Sequence, residues 1–384
     1  MQLPFDHEKL NALLEAEAID CLLVSSKHNV QYLLGGYRFF FFEHMDAMGL
    51  SRYLPIVGLP SGRFENSFYI GNPIEDWQHK VEPLWMEMVS IESWTSVDAA
   101  QKAADRLSCL LPQDATIAVE RSFIPADAMA VLADALPNVC WMEAATILEE
   151  LRAVKTPEEL RLISEASKAI VDSMLAVMQN TPVGTTTVEI VESLRQEEIT
   201  RGLNFDYCLV PTGPKFTRAA SSQVRWKPGK ILSLDSGGNK HGYIGDLARM
   251  AVMGEPTVLM QDLLAEVQMI QAATRVPMKA GVLGGKIFTA GLAAAEQCKY
   301  SQDTHFMVHG QGLVSHESPH LTATAMYSAI HEKRPLEAGM VLSIETEIWN
   351  KDVGFVKLED TVTVTDDGWE AFGDVGRDWV VGGS

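Results

Sequence analysis

Residues 233–250 read SLDSGGNKHGYIGDLARM, with Asp235 and Asp246 on either side of a glycine-rich turn. Ile231 to Leu234 is an apolar, β-prone run, Gly237-Gly238-Asn239-Lys240 is turn chemistry, and Leu247 to Val252 is apolar again. That succession predicts a β-hairpin. A turn centred on Lys240 and His241 would set Asp235 directly opposite Asp246, on one face of the sheet, with Cβ atoms about 5 Å apart. Like charges in that position destabilise a sheet unless a cation lies between them. Two solvated loop aspartates are the plain alternative, so the rest of the chain has to decide.

The hairpin has an echo further on. Residues 229–235 read GKILSLD and residues 339–345 read GMVLSIE. Each is a glycine turn followed by a strand that ends in serine, an aliphatic residue and an acid. Strand alternation puts the acid and the serine on one face and the aliphatic residues on the other. Two copies ending in a carboxylate point to a domain of two similar halves.

Other candidate ligands lie downstream. Residues 305–319, HFMVHGQGLVSHESP, hold His305, His309 and His316; the echo strand ends in Glu345; and GFVKLEDTVTV, residues 354–364, holds Glu359. Asp235, Asp246, His309, Glu345 and Glu359 together make a carboxylate-rich set with one imidazole. Such a set suits a pair of hard or borderline divalent ions, Mn²⁺, Co²⁺, Zn²⁺ or Fe²⁺. Two such ions about 3.5–4 Å apart can activate water and polarise a carbonyl. The run His316-Glu317-Ser318-Pro319-His320 also matches the HExxH zinc-protease pattern. That motif needs a helix to bring both histidines to one face, and Pro319 would fall in its interior, so the stretch is read as loop.

The length of 384 residues favours two domains. A boundary falls at Arg152-Ala153-Val154-Lys155, because Thr156-Pro157-Glu158-Glu159 is a helix start with N-cap, N1 proline and N3 glutamate. Leu160, Ile163, Ser167, Ile170, Met174 and Val177 follow at helical spacing. The first part, residues 1–152, alternates helical and strand patterns: Leu10, Leu13 and Leu14 at helical spacing, strands at 21–24, near 67–70 and at 116–119, and a helix over 99–110. This is the rhythm of a small α/β domain. Phe39 to Phe42 is read as a buried strand or an interface patch.

A net charge of −20, from 31 basic and 51 acidic side chains, argues against nucleic acid and anionic membranes as partners. The amino terminus carries early acids and no apolar core, so no secretory signal is expected. Five widely spaced cysteines without a CxxC pair suit a reducing cytoplasm.

The ordered set Asp235, Asp246, His309, Glu345 and Glu359 resembles the metal ligands of the M24 metallopeptidases, which include methionine aminopeptidase, aminopeptidase P, prolidase and creatinase. The resemblance implies an α+β chain: a creatinase-type N-terminal α/β domain over 1–152 and a pita-bread metallohydrolase domain over 153–384. It implies two divalent ions, with Mn²⁺ the first choice. Asp235 would chelate one ion, Asp246 and Glu359 would bridge both, and His309 and Glu345 would complete a coordination sphere. Glu345 would also handle the proton of the attacking water. His305 and His316 would position the substrate and stabilise the tetrahedral intermediate. The stretch VQYLLGGY, residues 30–37, looks like the relatives' strand near a dimer-facing edge, and a cytoplasmic homodimer is expected.

The chain also departs from the pattern. Arg218 stands where prolidase-like members usually carry a histidine, Lys357 where an arginine is common, and Gln311 and Ser315 where aliphatic residues are typical. These positions bear on substrate recognition, with Arg218 and Lys357 as candidate substrate contacts. Three functions compete: an exopeptidase acting on Xaa-Pro bonds, a small-molecule enzyme on the same fold (a creatinase- or ectoine-hydrolase-like C–N hydrolase, or a metal-dependent sulfonium lyase), and a catalytically inactive binding protein. An intact set of carboxylates speaks against the third, since such a cluster is costly without a cation.

Overall fold

The computed structural model describes residues 3–44, 53–214, 217–323 and 328–383. The chain divides into two units, Met1–Leu151 and Arg152–Ser384. Among the described residues no helix is long and apolar enough to cross a membrane.

The first unit is built on a six-stranded mixed sheet. Its strands are β1 (Cys21–Val24), β2 (Ile56–Pro60), β3 (Phe68–Ile70), β4 (Met88–Ser90), β5 (Thr116–Val119) and β6 (Cys140–Glu143), in the order β4-β3-β2-β1-β5-β6. Both faces are covered. Leu22 and Val24 enter one core with Leu10, Leu14 and Val30, while Cys21 and Leu23 enter another with Ala99, Ala103 and Leu107. Burial on both sides explains why CLLV is apolar throughout instead of alternating.

Two expectations for this unit are corrected. Residues Lys27–Leu33 form a helix, capped by the Ser26 side chain, where the VQYLLGGY resemblance implied a strand. Buried Glu120 accepts hydrogen bonds from the backbone N–H groups of Ser25 and Ser26 at 2.7 and 2.8 Å, which fixes this helix start. The phenylalanine block is not a strand either: Phe40–His44 is a 3₁₀ turn, with Phe39 and Phe42 in the core and Phe40 45% exposed. Four identical apolar residues carry no periodicity, so their sequence does not separate turn from strand.

The second unit opens with the expected helix, Pro157–Asn180. Thr156 and Glu159 cap it reciprocally, and a like pair, Thr186 and Glu189, starts the next helix, Thr187–Thr200. Then come β7 (Asn204–Leu209), β8 (Ile231–Lys240) and β9 (Tyr243–Met253). A second helix pair, Val258–Arg275 and Gly284–Gln297, precedes β10 (Thr304–Gln311), β11 (Ser315–His320), β12 (Val341–Asn350) and β13 (Gly354–Val364), with β14 (Trp369–Phe372) and β15 (Val380–Gly382) at the end. Two helices followed by antiparallel strands thus occur twice, as the echo between residues 229–235 and 339–345 implies. The sheet order is β11-β10-β12-β13-β9-β8-β7, with β14 on β13 and β15 on β9.

Alternation then sorts the side chains. Leu232, Leu234 and Leu247 pack with Ile170 and Met174 of the first helix pair and with Trp226 of the segment before β8. Val308, Leu342, Ile344, Val356 and Leu358 pack with Leu263, Val267 and Ile287 from the second. Each fully buried aliphatic side chain of this kind contributes about 1.5–3 kcal/mol. The intervening residues, Asp235, Asp246, His309, Glu345, Lys357 and Glu359, therefore share the face turned away from the helices.

Candidate metal centre

The β8–β9 hairpin forms, but its register differs from the sequence expectation. Asp235 lies opposite Ala248 and Gly237 opposite Asp246. The turn is centred between His241 and Gly242, whose φ values are 50° and 86°. A two-residue turn with both φ values positive matches the twist of a hairpin. It moves the pairing by two residues from a turn centred on Lys240 and His241. Because that slip is even, both aspartates keep the same face and stand diagonally.

The directly opposed acids are instead Glu345 and Glu359, paired across β12 and β13. Glu359 also pairs with Ala248, which pairs with Asp235, so one row across four strands reads Glu345, Glu359, Ala248, Asp235. The small side chain of Ala248 leaves room between the carboxylates. His309 pairs with Ser343 on the neighbouring row, and Ser343 Oγ donates to Glu359 Oε1 at 2.8 Å.

Three overlapping groups of potential ligand atoms, each within 4.8 Å of one another, result: Asp235, Asp246 and Glu359; His309, Glu345 and Glu359; and Asp246, His309 and His316. Asp235, Asp246, His309 and Glu359 are buried. His309 Nδ1 lies 3.1 Å from the Gly310 carbonyl. Its Nε2 is buried without a hydrogen-bond partner among the described residues and lies 3.7 Å from Glu359 Oε1. An imidazole whose Nδ1–H is held by a carbonyl presents the Nε2 lone pair, the arrangement of a metal ligand. The donor set fits a divalent cation on this ground.

The electrostatics are those of crowded acids. Burial, then Glu359 and Asp235, push the Asp246 carboxyl up. Burial also raises Asp235, with Lys357 partly offsetting it. In Glu359, burial is outweighed by Lys357 and His309, which hold the carboxyl well below its ordinary value. Burial pushes the His316 imidazole down to about 4, with His309 adding to the effect, so it is neutral near pH 7. The His316 ring stacks on His309 with centroids 3.8 Å apart.

His316 lies on strand β11 and not in the loop expected for this stretch, although, as Pro319 implies, the HExxH run forms no helix. Glu317 turns the other way and accepts from Arg152 Nη2 and Lys155 Nζ, both at 2.9 Å. His305 is exposed at the start of β10, four residues from His309, and lies outside the three ligand groups. Arg218 is about one-third exposed, pairs with Asp235 and lies 3.8 Å from Glu347. Lys357 is buried, with its Nζ 2.6 Å from Asp235 Oδ2, 2.7 Å from Glu345 Oε1 and 3.0 Å from Glu359 Oε2.

Sequence reasoning missed Tyr207. Its hydroxyl donates to Asp246 Oδ1 from β7, while Ser315 Oγ donates to Asp246 Oδ2 at 2.9 Å. Gln311 Nε2 donates to the Ile244 carbonyl at 2.7 Å and steadies the strand that carries Asp246. Two of the atypical polar residues thus act on Asp246 or its strand. Partners that orient a ligand change metal affinity roughly 10–100-fold when removed. Tyr207→Phe is expected to weaken Mn²⁺ binding by that factor in a calorimetric titration, with the circular dichroism spectrum unchanged.

The profile of metallopeptidase family M24 matches residues 160–366, and that of the creatinase/prolidase N-terminal domain matches residues 7–154. The fold is the two-domain creatinase/aminopeptidase fold, and the chain belongs to metallopeptidase family M24. It is 27% identical over 232 residues to an uncharacterized peptidase of Bacillus subtilis and 25% identical over 228 residues to Xaa-Pro dipeptidase of Pyrococcus furiosus. Each alignment covers 58% of this chain and 63% of the relative, so less than two thirds of those proteins is matched. The structure of Xaa-Pro dipeptidase from Bacillus anthracis superposes over 98% of both chains with a TM-score of 0.81 at 20% identity, a likeness of fold.

Proposed function

We propose that this chain is a metal-dependent exopeptidase of the Xaa-Pro dipeptidase or aminopeptidase type, hydrolysing an N-terminal Xaa-Pro amide bond. The observation that carries this reading is the buried Nε2 of His309, which makes no hydrogen bond among the described residues and lies beside Asp246, Glu345 and Glu359. Similarity to a dipeptidase named for Xaa-Pro substrates supports the substrate class.

Asp235, Asp246, His309, Glu345 and Glu359 would hold the metal, with Mn²⁺ the first choice among Mn²⁺, Co²⁺, Zn²⁺ and Fe²⁺. Two ions is the number the resemblance implies. A bound divalent ion supplies Lewis-acid polarisation of the substrate carbonyl and acidifies water. Glu345 takes the proton of the attacking water and delivers it to the departing amine. Neutral His316, beside His309, donates a hydrogen bond where negative charge develops on the former carbonyl oxygen. His305 and Arg218 hold the substrate, Arg218 through its carboxylate end. A cytoplasmic homodimer belongs to the same reading and stands on the resemblance.

Proline release from a panel of Xaa-Pro dipeptides and tripeptides, with Mn²⁺ and with a chelator, tests this. Chelator-sensitive turnover is the expected result, and the preferred length separates dipeptidase from aminopeptidase. Folded, metal-loaded protein that releases no proline would instead point to a non-peptide substrate on the same fold, with Arg218 the first residue to question.

A further inference from the structure

We propose that Lys357 is a built-in cation that takes the place of one of the two expected metal ions, so that the centre binds a single divalent ion on Asp246, His309, Glu345 and Glu359. This rests on the metal-dependent reading above and revises the number of ions in it.

An ammonium group has three N–H donors. Those of Lys357 are matched by three carboxylates, Asp235 at 2.6 Å, Glu345 at 2.7 Å and Glu359 at 3.0 Å, all members of the expected ligand set. The side chain is 4% exposed, so water does not compete for those contacts. Arg218 meets the same Asp235 oxygen, Oδ2, from the loop side. Oδ2 of Asp235 is therefore held by two protein cations, more than any other acid of the set meets among the described residues.

The other side of the cluster differs. Among the described residues His309 Nε2 has no hydrogen-bond partner. Asp246 accepts from two hydroxyls, those of Tyr207 and Ser315, and among the described residues from no cation. Glu359 turns its second oxygen, Oε1, toward His309 at 3.7 Å. A second ion on the Asp235 side would have to displace the ammonium. Lys357 would then be buried without partners, which is strongly unfavourable.

The test uses the whole chain loaded with excess Mn²⁺, desalted and assayed for metal by mass spectrometry, with electron paramagnetic resonance on the same sample. The expected result is one Mn²⁺ per chain with the six-line pattern of an isolated ion. Lys357→Met keeps the length of the side chain and removes its charge; it is expected to hold two Mn²⁺ with the signal of an exchange-coupled pair. Two coupled ions in the unaltered protein would overturn the inference and leave the metal-dependent reading intact. One ion persisting in folded Lys357→Met would also overturn it. No bound Mn²⁺ in either protein would instead defeat the metal-dependent reading itself. Should Lys357→Met not fold, the unaltered protein alone still decides between one ion and two.

Discussion

Asp246→Asn is expected to abolish Mn²⁺ retention and to lower kcat/KM for an Xaa-Pro peptide by at least about 10³-fold. Asp246 belongs to two of the three ligand groups and is held in place by Tyr207 and Ser315. Asparagine keeps the shape and the acceptor for the Tyr207 hydroxyl while removing the charge. A metal ion acting as Lewis acid supplies several kcal/mol to the transition state, and each 1.36 kcal/mol is about tenfold in rate. Metal analysis and steady-state kinetics on one preparation check this. A variant that retains both metal and full activity would sink the assignment of Asp246 as a ligand.

The largest effect on stability is expected at Glu317. Its two oxygens take Arg152 and Lys155, and all three side chains are at most 3% exposed. Removing one member of a buried ion group leaves charges without compensation and costs about 3–5 kcal/mol. Glu317→Gln leaves two buried cations facing a neutral amide, so a fall in melting temperature on the order of 10 °C is expected for a unit of this size. Burial alone would raise the Glu317 carboxyl; Lys155 and Arg152 outweigh it and hold the group below its ordinary value of 4.5. A depressed folded value means the stabilisation is complete above the ordinary range and is lost as pH falls through the folded value. The gap between the two proteins should therefore be widest near neutrality and close in acid. Thermal melts between neutral and acid pH give the answer, and a gap that widened in acid would refute the ion-group account.

What could be read from the sequence was what local chemistry determines. β1 and β5 fall on the expected residues, and the long helix starts at Thr156, because capping and apolar runs act over a few residues. The common face of Asp235 and Asp246 followed from strand periodicity, and an even slip in register did not disturb it. The register itself was not legible: it turns on His241 adopting positive φ, which is uncommon for any residue but glycine. Tyr207 carried no local signal, since nothing near it in sequence says that its strand lies beside β8. Lys357 was half legible. Its spacing from Glu359 set the face, but its place among three acids depends on Glu345 and Glu359 being directly opposed.

The seam between the two halves of the second unit has a mechanical meaning. Among the described residues β9 and β13 register through one pair, Ala248 with Glu359; elsewhere β9 takes β15 and β13 takes β14. On the helix side, buried Arg249 stitches this point by donating from Nη1 to the carbonyls of Ala248 and Glu359 at 2.8 and 2.9 Å. On the other side, Asp235 and Asp246 come from one half and His309, Glu345 and Glu359 from the other. The sheet is thus two leaves fastened through their spine, with a guanidinium as the rivet behind and, on the proposed reading, a divalent cation as the rivet in front. Reactivity and cohesion would then share that front fastening, so whatever loosened the grip on the ion would also free the leaves to part.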